Sequence, residues 1–102
     1  MRLLIDTDAG IDDAVALLMA LAHPGTTVEA ITTTYGNVAL EKVIRNVLTV
    51  LEITGCQQVP VYPGATQPLV ARWGAESIFG ADGLGNYEPR PALTKGAEAE
   101  HA

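Results

Sequence analysis

The sequence predicts an α/β fold: the N-terminal βαβαβ part of an open, mostly parallel sheet. Three observations carry this. Short apolar or β-branched runs at 2–5, 27–34 and 59–62 alternate with longer segments of helical periodicity. The punctuation falls between them, with His23-Pro24-Gly25 and Gly55 closing the two helical segments and Pro63-Gly64 closing the last strand. Each strand-helix-strand unit also has a length that suits a parallel crossover.

Taken in order, Arg2 to Ile5 is a short apolar run of the kind that parallel sheets cover on both faces. Asp12 can cap the following helix and Asp13 falls in its first turn, where the positive end of the helix dipole favours carboxylates. Ala14, Leu17, Leu18 and Leu21 recur at helical spacing as far as about Ala22. Thr27 to Thr34 is rich in β-branched residues and reads as the second strand. Asn37 is a candidate N-cap for a second helix from Val38 to about Thr54, whose apolar positions are Leu40, Val43, Ile44, Val47, Leu48 and Leu51. Val59-Pro60-Val61-Tyr62 is the third strand. From Ala65 the regular pattern gives way to a Gly- and Pro-punctuated stretch containing Trp73, Phe79 and Asp82-Gly83, the latter a candidate turn.

Composition narrows the function classes. Of 102 residues, 48% are hydrophobic and 18% charged, which describes a globular chain and not a disordered one. The net charge of -6, with 6 scattered Lys and Arg residues, excludes the clustered basic surface that a nucleic-acid partner requires. No apolar run approaches the ~20 residues of a membrane span. The run Leu3-Leu4-Ile5 is too short for a signal-peptide core. The single cysteine, Cys56, can form no internal disulfide, which fits a reducing, cytoplasmic location.

The chemistry concentrates directly after the first strand. In Asp6-Thr7-Asp8-Ala9-Gly10-Ile11-Asp12-Asp13-Ala14, four carboxylates lie within eight positions. Like charges this close repel, and a fold keeps them together only with compensation from a cation, shared protons or a helix N-terminus. Hard oxygen donors without His or Cys favour Ca²⁺ or Mg²⁺ over zinc. Gly10 lets the chain turn so that Asp12 and Asp13 come back toward the strand end, where open α/β sheets bind ligands. An EF-hand is excluded, because no helix can precede Asp6 and Leu17 stands where that loop needs a bidentate Glu. A haloacid-dehalogenase-like phosphatase, with Asp6 as nucleophile, is a rival for Asp6-Thr7-Asp8. It leaves Asp12 and Asp13 unexplained.

This acidic segment closely resembles the N-terminal signature of the inosine-uridine-preferring nucleoside hydrolases. Thr33-Thr34-Tyr35-Gly36-Asn37, Val59-Pro60-Val61-Tyr62-Pro63-Gly64 and Gly80-Ala81-Asp82-Gly83-Leu84-Gly85 follow in the family's order, so the resemblance covers nearly the whole chain. It implies hydrolysis of the N-glycosidic bond of ribonucleosides to ribose and free base, using a water bound to one tightly held Ca²⁺. It implies that Asp8 and Asp13 ligate Ca²⁺, with Asp8 also the general base. Asp12 would hold ribose hydroxyls, Asn37 would reach the same pocket, and Asp6 would support the ligands from one layer further out. The implied partner is a small-molecule ribonucleoside, with no nucleic acid and no membrane, and the full-length member would be a homo-oligomer. Ala9 stands where the family usually has Pro, and Phe79 where many members have His.

The expected organisation is a single incomplete domain over 1–102. It has a βαβαβ core at 1–64, a segment on the rim of the site at 65–94 and the start of an unfinished helix at 95–102. Because family chains are longer, the remaining Ca²⁺ ligands and the leaving-group acid are expected beyond Ala102. This chain would then carry only part of the site. A second class of reading is a non-catalytic fragment or interaction module that keeps the sheet and helices and binds Ca²⁺ weakly.

Overall fold

The structure, a computed structural model, describes residues 1–36, 38–67, 82–88 and 90–102. Its elements are β1 (Arg2–Thr7), α1 (Ile11–Ala22), β2 (Thr27–Thr33), α2 (Leu40–Thr54) and β3 (Val61–Pro63). The strands pair in parallel in the order β1-β2-β3, as the alternation of elements predicts. Leu3, Ile5 and Thr7 stand beside Val28, Ile31 and Thr33, on the sheet face that packs against the helices. Arg2, Leu4 and Asp6 alternate to the other face, and Leu4 is 70% exposed. A register shift between Leu3 and Leu4 makes Glu29 the extra residue of a bulge in β2.

The core lies between that face and the two helices, which touch each other. Ile31, Val43, Val47, Leu51 and Val61 are essentially inaccessible to water. Burial of each such side chain contributes about 1.5–3 kcal/mol by transfer from water. α2 buries the predicted Leu40, Val43, Val47, Leu48 and Leu51, and with them Val50 and the polar Asn46 and Thr49. Ile44 is only half-buried. α1 buries less. Leu17 is enclosed and Ala14 and Leu21 pack at the core's edge, while Ile11, Val15, Leu18 and Met19 are exposed. Leu18 therefore leaves the predicted inner face: the buried stripe is narrow and runs through Ala14, Leu17 and Leu21, with Leu18 on its outer flank.

Boundaries moved for identifiable reasons. The N-cap of α1 is Gly10, so Asp12 lies inside the first turn and does not cap the helix. The helix begins earlier because the Gly10 carbonyl already accepts the Ala14 N–H at 2.9 Å. Helix α2 starts at Leu40 with Ala39 as cap, its carbonyl receiving the amides of Lys42 and Val43. The cap predicted at Asn37 lies outside the described residues. Gly55, at φ 72, ends α2 in the left-handed conformation, as expected of a glycine there. β3 begins at Val61, two residues later than predicted, because Val59 closes a turn back to the Cys56 carbonyl.

Residues 95–102 do not open a helix. They run along the outer edge of β3, where the Glu98 N–H reaches the Val61 carbonyl at 2.7 Å and the Ala102 N–H reaches the Pro63 carbonyl at 2.8 Å. Gly96 lowers the helix propensity of this stretch, and the edge carbonyls of β3 offer its amides partners at once.

Candidate active site

Thr7 organises the acidic loop. Its buried hydroxyl donates to Asp13 Oδ2 at 2.6 Å and accepts the Ala9 N–H at 2.9 Å. One side chain at the end of β1 thus holds both the turn that leaves the strand and the carboxylate that opens α1. Ala9, at φ 48, occupies the left-handed region and is itself buried. An L-residue there costs about 1 kcal/mol relative to glycine, and the proline that the resemblance expects at this position cannot adopt that φ at all. Ala9→Gly is expected to change stability by no more than ~0.5 kcal/mol, because relief of the left-handed strain is offset by loss of a buried methyl and by the freer unfolded chain. Urea unfolding measures it; a loss of ~1.5 kcal/mol or more, the cost with no strain relieved, would contradict a strained Ala9.

Asp8 is half-buried and lies against Gly36. A β-carbon built on Gly36 would sit 2.3 Å from Asp8 Oδ2 and 2.5 Å from its Cβ. The need for glycine here is spatial: Gly36 makes the room that the Asp8 side chain fills. Asp6 goes elsewhere. It points to the opposite sheet face, where Oδ1 accepts the Thr32 hydroxyl at 2.7 Å. Asp12 is exposed on the first turn of α1. The structure therefore ties Asp13 to the strand end and packs Asp8 beside Gly36, but does not gather all four carboxylates into one nest. Among the described residues, no three His, Cys, Asp or Glu side chains form a group that could hold a metal ion. Asn37 lies outside the described residues, as do Trp73 and Phe79.

A second polar centre adjoins this loop, and sequence reasoning found little of it. Asn46 of α2 is 1% exposed. Its amide donates to the Ala9 carbonyl at 3.3 Å and to the Asp82 carbonyl at 2.7 Å, and its Oδ1 accepts Arg90 Nη1 at 3.0 Å. Arg90 Nη1 also reaches Thr49 Oγ1, and Nη2 pairs with Asp82 Oδ2 at 2.7 Å. Asp82 Oδ1 receives the amides of Leu84 and Asn86, at 2.9 and 2.8 Å. Burial pushes the Asp82 carboxyl up, but the Leu84 amide, the Arg90 guanidinium and the Asn86 amide together hold it at about 2. The turn predicted at Asp82-Gly83 is present, with Gly83 at φ 82. Its pin, Arg90, was legible only as a basic residue between two prolines. The signal that could have found Asn46 is its place in the helical pattern, one step from Val43 and Val47 on the buried side.

The fold and this loop define an α/β protein with a carboxylate-bearing segment at the carboxyl end of a parallel strand, where such sheets take small ligands. Comparison with known proteins names the class more closely. A family model described as inosine-uridine preferring nucleoside hydrolase matches residues 3–102. The chain is 40% identical over 102 residues to the inosine-uridine preferring nucleoside hydrolase of Leishmania major, covering 99% of this chain and 32% of that one. It is 39% identical over 104 residues to uridine nucleosidase 1 of Arabidopsis thaliana, covering 99% of this chain and 31% of that one. The purine-preferring ribonucleoside hydrolase structure from Gardnerella vaginalis superposes with a TM-score of 0.90 at 34% identity, covering 100% of this chain and 34% of that one.

The chain belongs to the inosine-uridine preferring nucleoside hydrolase family. It spans about a third of the length of each of these three proteins. Among the described residues, no helix is long and apolar enough to cross a membrane.

Proposed function

We propose that this chain supplies the amino-terminal part of a site that hydrolyses the N-glycosidic bond of ribonucleosides. The observation that carries the reading is the acidic loop of a family member held in place from both sides: Thr7 bonds Asp13, and Gly36 leaves the space occupied by Asp8. In the reaction the bond between ribose and base breaks, the oxygen of water ends on the sugar, and a proton ends on the base. Asp8 takes the proton of the attacking water. Asp12 binds ribose hydroxyls with Asn37. Asp6, bonded to Thr32, steadies the strand end from the other sheet face. The cation-like sugar of the transition state is stabilised by the surrounding carboxylates.

Asp8 and Asp13 are the residues that would hold Ca²⁺. Two hard carboxylates from one loop fit that ion in kind, and Asp13 keeps Oδ1 clear of its bond to Thr7. Bound there, the ion would acidify water. Two carboxylates are short of the 6–8 oxygens that Ca²⁺ takes, so further donors must come from outside this loop. A cytoplasmic location and a homo-oligomeric longer protein accompany this reading. Family membership removes the phosphatase alternative.

Release of free base from inosine and uridine tests the proposal, with a longer protein containing this chain beside the 102-residue chain itself. The longer protein is expected to release base, and Asp8→Ala to lower its rate by at least ~10³-fold, because one residue serves as ligand and base. The 102-residue chain alone is expected to release none, because Asp8 and Asp13 by themselves fall short of the oxygens that Ca²⁺ takes. Absence of base release by the longer protein, or indifference to Asp8→Ala, would sink the reading.

A further inference from the structure

Asn46 stands where two segments meet that are remote in sequence. It lies 37 residues from Ala9, 36 from Asp82 and 44 from Arg90. An amide NH₂ is one of the few side-chain groups with two donors fixed in a plane, and here each donor goes to a different main-chain carbonyl. Its oxygen takes the guanidinium, so the buried amide is engaged through both its nitrogen and its oxygen. A leucine of similar size could do none of this. An aspartate would set a carboxylate oxygen against two carbonyl oxygens, with no proton to share.

The two carbonyls are unequal in consequence. Ala9 is the turning point between Asp8 and α1, and its N–H is already held by Thr7. Asn46 fixes the carbonyl of that same residue, so the backbone at the turn is gripped from two sides. The other partner, Asp82, belongs to a turn kept rigid by its own carboxylate and by Arg90. Gly83 brings that turn close, since a β-carbon there would lie 3.2 Å from Asn46 Nδ2. We propose that Asn46 is a positioning residue that couples the Asp82 turn to the acidic loop, so that the conformation of one sets that of the other. The catalytic meaning of this coupling rests on the proposed function. The coupling itself does not.

Amide hydrogen exchange on the full 102-residue chain reads it directly. In the parent chain, Asp82→Asn is expected to speed exchange at Ala9 by ~5-fold or more relative to Ile31 in β2, as a local opening and not global unfolding. In an Asn46→Leu background, the same Asp82→Asn change is expected to leave Ala9 within about twofold while Leu84 still accelerates, because the link is gone. Asn46→Ser, with a single donor, serves the same cycle should Asn46→Leu fail to fold. An Ala9 rate insensitive to Asp82→Asn, or equally sensitive in both backgrounds, overturns the coupling and reduces Asn46 to a satisfied core amide. Failure of nucleoside hydrolysis would leave these rates unchanged, so the two readings fall separately.

Discussion

Gly36→Ala is expected to destabilise the chain by ~2–3 kcal/mol and to displace Asp8. The carboxylate alone could swing aside if only its oxygens were in the way. The new methyl, however, also meets Asp8 Cβ at 2.5 Å and Cγ at 2.8 Å, and a β-carbon moves only with its backbone. Either the acidic loop or the segment after β2 must shift. If Asp8 is the base proposed above, a shift on the order of 1 Å should also lower base release by roughly 10²-fold in the longer protein. Gly96→Ala is the matched control, since nothing lies within 4 Å of its added methyl; it is expected to stay within ~0.5 kcal/mol of the parent. Urea unfolding of both variants measures the difference. Equal stabilities would mean that Gly36 is not the space-maker described.

Arg90→Met is expected to cost ~2–4 kcal/mol, near the range for breaking a buried ion pair from one side. The Arg90 side chain is 6% exposed and that of Asp82 25%, so the carboxylate left behind has only partial access to water. Asn46 Oδ1 and Thr49 Oγ1 lose a donor in the same step. Arg90→Lys should recover part of the loss, since it restores a charge but not the guanidinium that reaches Tyr87, Asn46, Thr49 and Asp82 at once.

The pH dependence has a definite sign. Asp82 titrates at about 2 in the folded chain against an ordinary 3.8, so the unfolded chain binds the proton more readily. The associated stability is fully present above ~pH 4 and is lost as pH falls toward 2, by about 1–2 kcal/mol once the exposed quarter of the side chain is discounted. In Arg90→Met this acid-side loss should shrink. Urea midpoints from pH 5 to pH 2 follow it, and an undiminished loss in the variant would place its origin elsewhere.

The element order and the sheet topology were legible because each rests on local signals: β-branched runs for Thr27–Thr33, a three-four apolar spacing for α2, Gly55 and Pro24 as stops. The acidic loop was legible as a site because four carboxylates beside one strand demand a reason. Its internal arrangement was not. That Thr7 would hold Asp13, and that Asp6 would leave for the opposite face, depends on which residue is the last in β1, a boundary that periodicity leaves open by a residue or two. Asn46, Asp82 and Arg90 were harder still. Their partnership spans 36 and 44 residues, and nothing in the local pattern of any one of them announces the others. The start of α2 and the tail at 95–102 were misjudged for a related reason: propensity proposed a helix, and nearby backbone partners decided otherwise.

The alternation along β1 has a wider consequence. Thr7 and Asp6 are neighbours in the chain, yet one serves the helix side and the other the opposite side. The strand thus acts as a sorting device for the polar residues at its end, assigning partners by odd or even position. A chain with the same acidic residues but one further uncharged residue inserted within β1 would keep every carboxylate and exchange their neighbourhoods. Between such chains, counting acidic residues would find no difference, while the parity of the strand would separate them.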